Sequence, residues 1–253
     1  MAFEYDLDDF PGVHVAVDLA FLTVSPPDSS GGRQLLLMVV RRKDGFRQGE
    51  WTLPGRFLRP RETVIDAAEV CGREKAGIHK APWRKLTILD DPDRDPRGWT
   101  MSVGVVAPIP FDQARKAIDE DSVDRALVPV SDTRIMLPNG QPELPFGLNE
   151  LVDKSVSYMR DRYYRLPDPK HFLGETFTLS ELQSVHDAIL GEGFYSRDSF
   201  RRTFERLLTP TGEFSSGTVG KPAALFRRAR RSPSGSSMPR RINRPSEPRI
   251  SKP

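Results

Sequence analysis

The stretch from residue 53 to residue 78, LPGRFLRPRETVIDAAEVCGREKAGI, constrains this chain more than any other. Pro54 and Gly55 force a tight turn, because proline fixes one backbone angle and glycine admits conformations closed to other residues. After a loop, Thr63 with Asp66 three residues on predicts a helix start, since hydroxyl and carboxylate satisfy the free N–H groups of a first turn. The spacing predicts a helix over 63–76, and Gly77 marks its stop. A glycine turn, a loop and a helix able to stack carboxylates three or four residues apart form the outline of a site for phosphate chemistry. Most of the carboxylates are missing.

The flanking sequence says what carries this stretch. Residues 13–24 (VHVAVDLAFLTV) and 35–42 (LLLMVVRR) are dense in β-branched and apolar side chains and read as neighbouring buried strands. Residues 84–89 and 99–109 give two more strands, 111–118 a short helix, and 122–132 and 137–142 look irregular. The stripe Leu148, Leu151, Val152, Val156 and Met159 predicts a helix over 148–164. Strands followed by helices that can cover both faces indicate an α/β sandwich.

Residues 165–175, with two prolines and a glycine, read as a boundary. Beyond it Thr178 and Glu181 repeat the capping signature, and Leu179, Leu182, Val185, Ile189 and Leu190 form the apolar face of a helix. Gly191 and Gly193 make a turn, and Ser196 opens a second helix, SRDSFRRTFERLL, with Phe200, Phe204 and Leu207 toward the core. Glycines at 212, 217 and 220 between β-capable pieces predict a hairpin. Helix, turn, helix, hairpin outlines a winged helix-turn-helix, whose second helix enters the major groove. Arg197, Ser199, Arg201, Arg202 and Arg206 on that helix, and Lys221 at the hairpin, are the candidate DNA-binding residues.

Charge divides the chain unevenly. Residues 227–253 hold nine Lys or Arg against one Glu, a surplus of eight within a total of +3, so the preceding residues carry −5. This Arg/Ser/Pro-rich tail has too few large apolar side chains to offset the entropy of ordering, and 229–253 is expected to be disordered. The single cysteine, Cys71, excludes an internal disulfide and a Cys-rich zinc site and fits a reducing cytosol. His14, His79, His171 and His186 are scattered without ligand spacing, so no metal is assigned. No apolar run is long enough to cross a bilayer and the N-terminus has no signal-peptide pattern, which implies a cytoplasmic protein without a membrane partner.

Residues 53–78 resemble the Nudix box, whose pattern is G, five residues, E, seven residues, then R-E-U-x-E-E-x-G-U with U apolar. In that family the glutamates hold divalent metal ions against a diphosphate while water attacks. Aligned on Leu53-Pro54-Gly55 and Gly77-Ile78, Glu62 matches the first glutamate and Arg56 stands at the motif glycine. The R-E-U-x-E-E core becomes Val70, Cys71, Gly72, Arg73, Glu74 and Lys75, in which only Glu74 survives. Cys71 suits Mg²⁺ poorly, and Lys75 places a fixed positive charge where the metal charge would sit. Residues 94–98 (RDPRG) resemble a loop of Nudix proteins that recognise ADP-ribose and related nucleotides.

Residues 177–191, 197–208, 210–213 and 220–227 resemble, in order, the winged-helix domain of the Nudix-related transcriptional regulators that control NAD metabolism. With the Nudix-like half, the resemblance spans roughly residues 13–228. It implies a Nudix-like α/β/α sandwich with a mixed sheet over 1–165, a winged helix-turn-helix over 175–228 and the tail. It implies a dimer that binds operator DNA and is released by a nucleotide such as ADP-ribose, with Arg56, Glu62, Glu74, Lys75, Arg94 and Arg97 as candidate ligand-binding residues. On this reading there is no catalytic residue and no cofactor. Two alternatives stay open: a Nudix hydrolase acting through Glu62 and Glu74, the one case that brings in Mg²⁺, and a pseudoenzyme scaffold that binds a protein partner.

Overall fold

The computed structural model describes residues 12–118, 123–131, 134–216 and 222–229. Lys221 and the basic tail beyond Ala229 lie outside them. Strand β1 (His14–Val24) runs through the middle of a sheet in which β2 (Leu35–Arg41), β5 (Arg84–Leu89), β6 (Thr100–Pro108), β7 (Arg125–Ser131) and β8 (Arg134–Ile135) take the order β5-β6-β1-β2-β7-β8. Two short strands, β3 (Trp51–Thr52) on β2 and β4 (Gly55–Phe57) on β1, complete it. β1 and β6 are parallel and the other pairs antiparallel, so the sheet is mixed.

Alternation along β1 builds the sandwich, because successive side chains leave a strand on opposite faces. Val17, Leu19 and Phe21 join α1 (Val64–Cys71) and α2 (Phe111–Ala117) in one core cluster. Ala20, Leu22 and Val24 join α3 (Asn149–Tyr163) in the other. The stripe that predicted α3, from Leu148 to Met159, is buried along its whole length. Thr63 and Asp66 make the expected capping box on α1, but the last turn, Gly72–Ala76, is π-helical before Gly77 closes it in the left-handed region.

Residues 122–132 were expected to be irregular, yet they contain β7, paired with β2 from Leu36↔Pro129 to Val40↔Arg125. Pro129 and a charged start hide its alternation, and only Val128 and Val130 are buried. Within the segment 165–175, read as a boundary, Asp168 has no exposed surface.

The C-terminal part consists of β9 (Phe177–Thr178), α4 (Leu179–Leu190), α5 (Arg197–Phe204), β10 (Leu208–Phe214) and β11 (Ala224–Arg228), with strand order β10-β11-β9. Thr178 and Glu181 form a second capping box, and Ser196 caps α5. Phe200 and Phe204 are fully buried, whereas Leu207 is only partly so. β9, too short to leave a periodic signal, supplies the third strand.

His186 on α4 is a poor fit to its surroundings. It is 1% exposed against the rings of Tyr163, Phe200 and Phe204, and neither ring nitrogen has a hydrogen-bond partner among the described residues. Burial pushes its pKa down to about 3. An unfolded histidine takes up a proton near pH 6.5 and this one does not, so stability should fall as pH drops from about 6.5 toward 3, by up to about 1.4 kcal/mol per pH unit. His186→Leu should flatten that slope and raise stability near pH 7 by about 1 kcal/mol, by removing an unsatisfied imidazole. Melting temperatures of both proteins between pH 7 and 5 check this.

Candidate functional site

The expected tight turn at Pro54-Gly55 is instead the passage from β3 into β4; this passage, the 94–98 loop and the end of α1 converge on one cleft of about 600 Å³. Arg56, Glu74, Lys75, Arg94 and Arg97 line it, while Glu62 does not. Glu62 instead accepts from Arg56 Nη1 at 2.6 Å and from the Arg59 N–H at 2.8 Å. These bonds, the Arg59 N–H first, hold its carboxyl below the usual range.

Close packing sets the floor of the cleft. A Cβ on Gly55 would lie 1.9 Å from Asp18 Oδ1, so only glycine lets β4 pass this close to β1. Asp18 is raised in pKa by burial, against the pull of Ser102, whose hydroxyl donates at 2.6 Å, and of Arg94, whose Nη2 lies 3.6 Å away. Lys75 Nζ donates to the Gly55 carbonyl. Arg125 donates from Nε to the Lys75 carbonyl at 2.9 Å and from Nη1 to the Ala117 carbonyl at 2.8 Å. Arg41 Nε donates to the Gly49 carbonyl at 3.1 Å. The bonds that fix these three cations run to neutral oxygens, so they aim positive charge at the cleft without cancelling it.

At the other end, Arg97 grips Asp95 through two nitrogens, at 2.9 and 2.7 Å. That grip, from the Arg97 side chain first, keeps the Asp95 carboxyl below its ordinary range. The Arg97 guanidinium carbon sits 5.4, 5.6 and 5.7 Å from the ring centres of Phe146, Phe46 and Phe57. One end is thus cationic and hydrogen-bonding and the other is aromatic, the division that a nucleotide requires. The Phe rings, Asp18, Arg41 and Arg125 escaped the sequence reading because they come from separate loops and strands. The available signal was phenylalanine close to arginine, as in Phe46-Arg47 and Arg56-Phe57; in the structure Phe46 and Phe57 are each 44% exposed.

The residues do not fit a Nudix metal. Cys71 is fully buried and burial pushes its thiol up to about 12, so no thiolate forms at neutral pH. Lys75 places an ammonium in the cleft, and Glu62 is committed to Arg56. Among the described residues no group of three His, Cys, Asp or Glu is close enough to hold a metal ion.

Gly77 joins the helix end to this site. Its φ is 70°, and a Cβ there would lie 2.7 Å from Arg125 Nη1. Gly77→Ala should cost about 1–2 kcal/mol for the left-handed conformation alone and should displace Arg125, which urea unfolding and ligand titration would read separately.

In the C-terminal part, Arg197, Arg201, Arg202 and Arg206 are exposed on and just beyond α5, and Ser199 is half-buried. Arg201 is paired with Glu205 at 2.8 Å, a contact that holds it against the helix.

Residues 169–228 match the family model for the NrtR DNA-binding winged helix domain. Over 226 residues, 88% of this chain and 85% of the other, the chain is 24% identical to the ADPR responsive transcriptional repressor NtrR of Acinetobacter baylyi. The fold resembles Shewanella oneidensis NrtR complexed with a 27mer DNA, with a TM-score of 0.67 at 27% identity over 85% of this chain and 93% of that one. A 67-residue stretch, 26% of this chain and 40% of the relative, is 33% identical to an ADP-ribose pyrophosphatase of Methanocaldococcus jannaschii. The architecture is a Nudix-like mixed-sheet domain followed by a winged helix.

Proposed function

We infer that this chain is a Nudix-related transcriptional regulator, in which the winged helix binds operator DNA and the Nudix-like domain senses ADP-ribose or a related nucleotide. The observation that carries this reading is Lys75: a protein cation fixed in the cleft of a Nudix-like domain that is joined to an arginine-faced recognition helix. Phosphates are held by Lys75, Arg56 and Arg125, with Arg41 beside them, and no metal is required. The base lies toward Arg97 and the phenylalanines. On the DNA side Arg197, Arg201, Arg202 and Arg206 meet bases and phosphates, and Ser199 is positioned to join them; Lys221, outside the described residues, is a further candidate for the DNA backbone.

The protein acts as a cytoplasmic homodimer, two recognition helices matching two half-sites, and nucleotide binding releases the DNA by favouring a state in which their spacing no longer fits. The described residues contain no helix long and apolar enough to cross a membrane.

The test uses DNA from upstream of the chain's own gene. A mobility shift at low salt that ADP-ribose reverses, with EDTA present and without AMP release, is the expected result; no shift at low salt overturns the reading. The pyrophosphatase similarity sustains a second reading, hydrolysis of a nucleoside diphosphate compound through Glu62 and Glu74. AMP release that requires Mg²⁺ or Mn²⁺ and is lost in Glu74→Gln would establish it.

A further inference from the structure

We propose that Asp168 and Arg228 are positioning residues that transmit the state of the nucleotide cleft to the DNA-binding wing, with α3 as the strut between them; this rests on the regulator reading above. The fifteen residues of α3 span about 22 Å at 1.5 Å per residue, and each end of the helix is tied by polar bonds.

The first end belongs to the cleft. Phe146, whose ring faces Arg97, lies three residues before α3, and its carbonyl accepts from Arg94 Nη2 at 3.1 Å. Arg94 is 4% exposed and its Nε has no partner among the described residues. Phe146 itself has φ of 61°, a conformation that non-glycine residues hold only when their surroundings impose it. A ligand that displaces Arg97 or Arg94 therefore pulls on the entrance to α3.

The second end is tied to the wing. Tyr163, in the last turn of α3, donates its hydroxyl to Asp168 Oδ1 at 2.8 Å. The Phe172 and Leu173 N–H groups also donate to this carboxylate, each at 2.9 Å. Asp168 is completely buried with φ of 43°, and Arg228 Nη2 completes its coordination. The same guanidinium donates to the carbonyls of Leu173 at 2.7 Å, Gly174 at 2.9 Å and Asp168 at 3.3 Å, over the Phe177 ring. Arg228 ends β11 and pairs across the hairpin with Leu208, which follows the turn after the recognition helix. A shift of α3 along its axis thus reaches the wing through the Arg228 side chain. Buried ion pairs contribute little net stability, so such a knot is better explained by the geometry it imposes.

The test separates coupling from binding. In the unaltered full-length chain, ADP-ribose should weaken DNA binding by about tenfold or more, the ordinary scale of coupling between sites. In Arg228→Lys, which keeps the charge but cannot span four acceptors, ADP-ribose should bind as before, while its effect on DNA affinity drops below about threefold. An undiminished effect overturns the proposal. Should Arg228→Lys fail to fold, hydrogen exchange of the unaltered chain decides: ADP-ribose must alter exchange at the Phe172 and Leu173 amides as well as around the cleft. A change confined to the cleft overturns the transmission route. No change in either place overturns the nucleotide reading and this proposal with it.

Discussion

Lys75→Glu should weaken ADP-ribose binding at least about a hundredfold while leaving the fold and the DNA affinity of the ligand-free protein intact. The change removes one charge-assisted bond to phosphate, worth about 1.5–3 kcal/mol, and sets a carboxylate against the same phosphate. The wild-type Nζ is held by a backbone carbonyl, and although its charge also steadies the buried Asp18 carboxylate, Asp18 keeps Ser102 and Arg94, so the fold should hold. The protein should then stay on its operator at ADP-ribose concentrations that release the wild type. Calorimetric titration gives the affinity, and a mobility shift with increasing ADP-ribose shows the locked state. Unchanged affinity would move the phosphate site elsewhere in the cleft.

Arg201→Ala with Arg202→Ala should lower operator affinity about a hundredfold or more and reduce the salt dependence of what remains. Both side chains are exposed, so melting temperature should barely move. Arg201 counts despite its bond to Glu205, since DNA phosphate is the stronger competitor and the helix already aims the group outward. Anisotropy at several salt concentrations separates the loss of charge from the loss of base contacts: a loss equal on operator and random DNA marks phosphate contacts, a larger loss on operator marks base reading.

Much of the fold was legible in local chemistry. Both capping boxes, the stripe of α3 and the β-branched, apolar run of β1 are patterns within a single element, and each formed where its residues placed it. β7 and β9 were not legible, because one starts on Arg125 and carries Pro129 inside its period, and the other has two residues and pairs with β11. The site divided along the same line. Lys75, Arg94 and Arg97 belong to contiguous motifs and do line the cleft. Glu62 keeps its motif position, yet Arg56 six residues before it takes its carboxylate. The aromatic end, assembled from Phe46, Phe57 and Phe146 around Arg97, requires two loops and the end of β4 to meet, and no single one of them shows that they do.

Val185 and Ile189 of α4 belong to the same apolar cluster as α3 and the inner face of the large sheet. Arg33 Nε reaches Ser184 Oγ at 3.1 Å, and Arg160 Nε reaches the Ile189 carbonyl at 3.0 Å, sealing the seam. A DNA-binding helix bundle that borrows part of its core cannot be moved to another protein by cutting at the apparent linker, because the cut would bare that shared apolar face. Recombination that separated the two halves would yield a fragment prone to aggregate, so the pairing of sensor with reader is protected by solubility as well as by regulation.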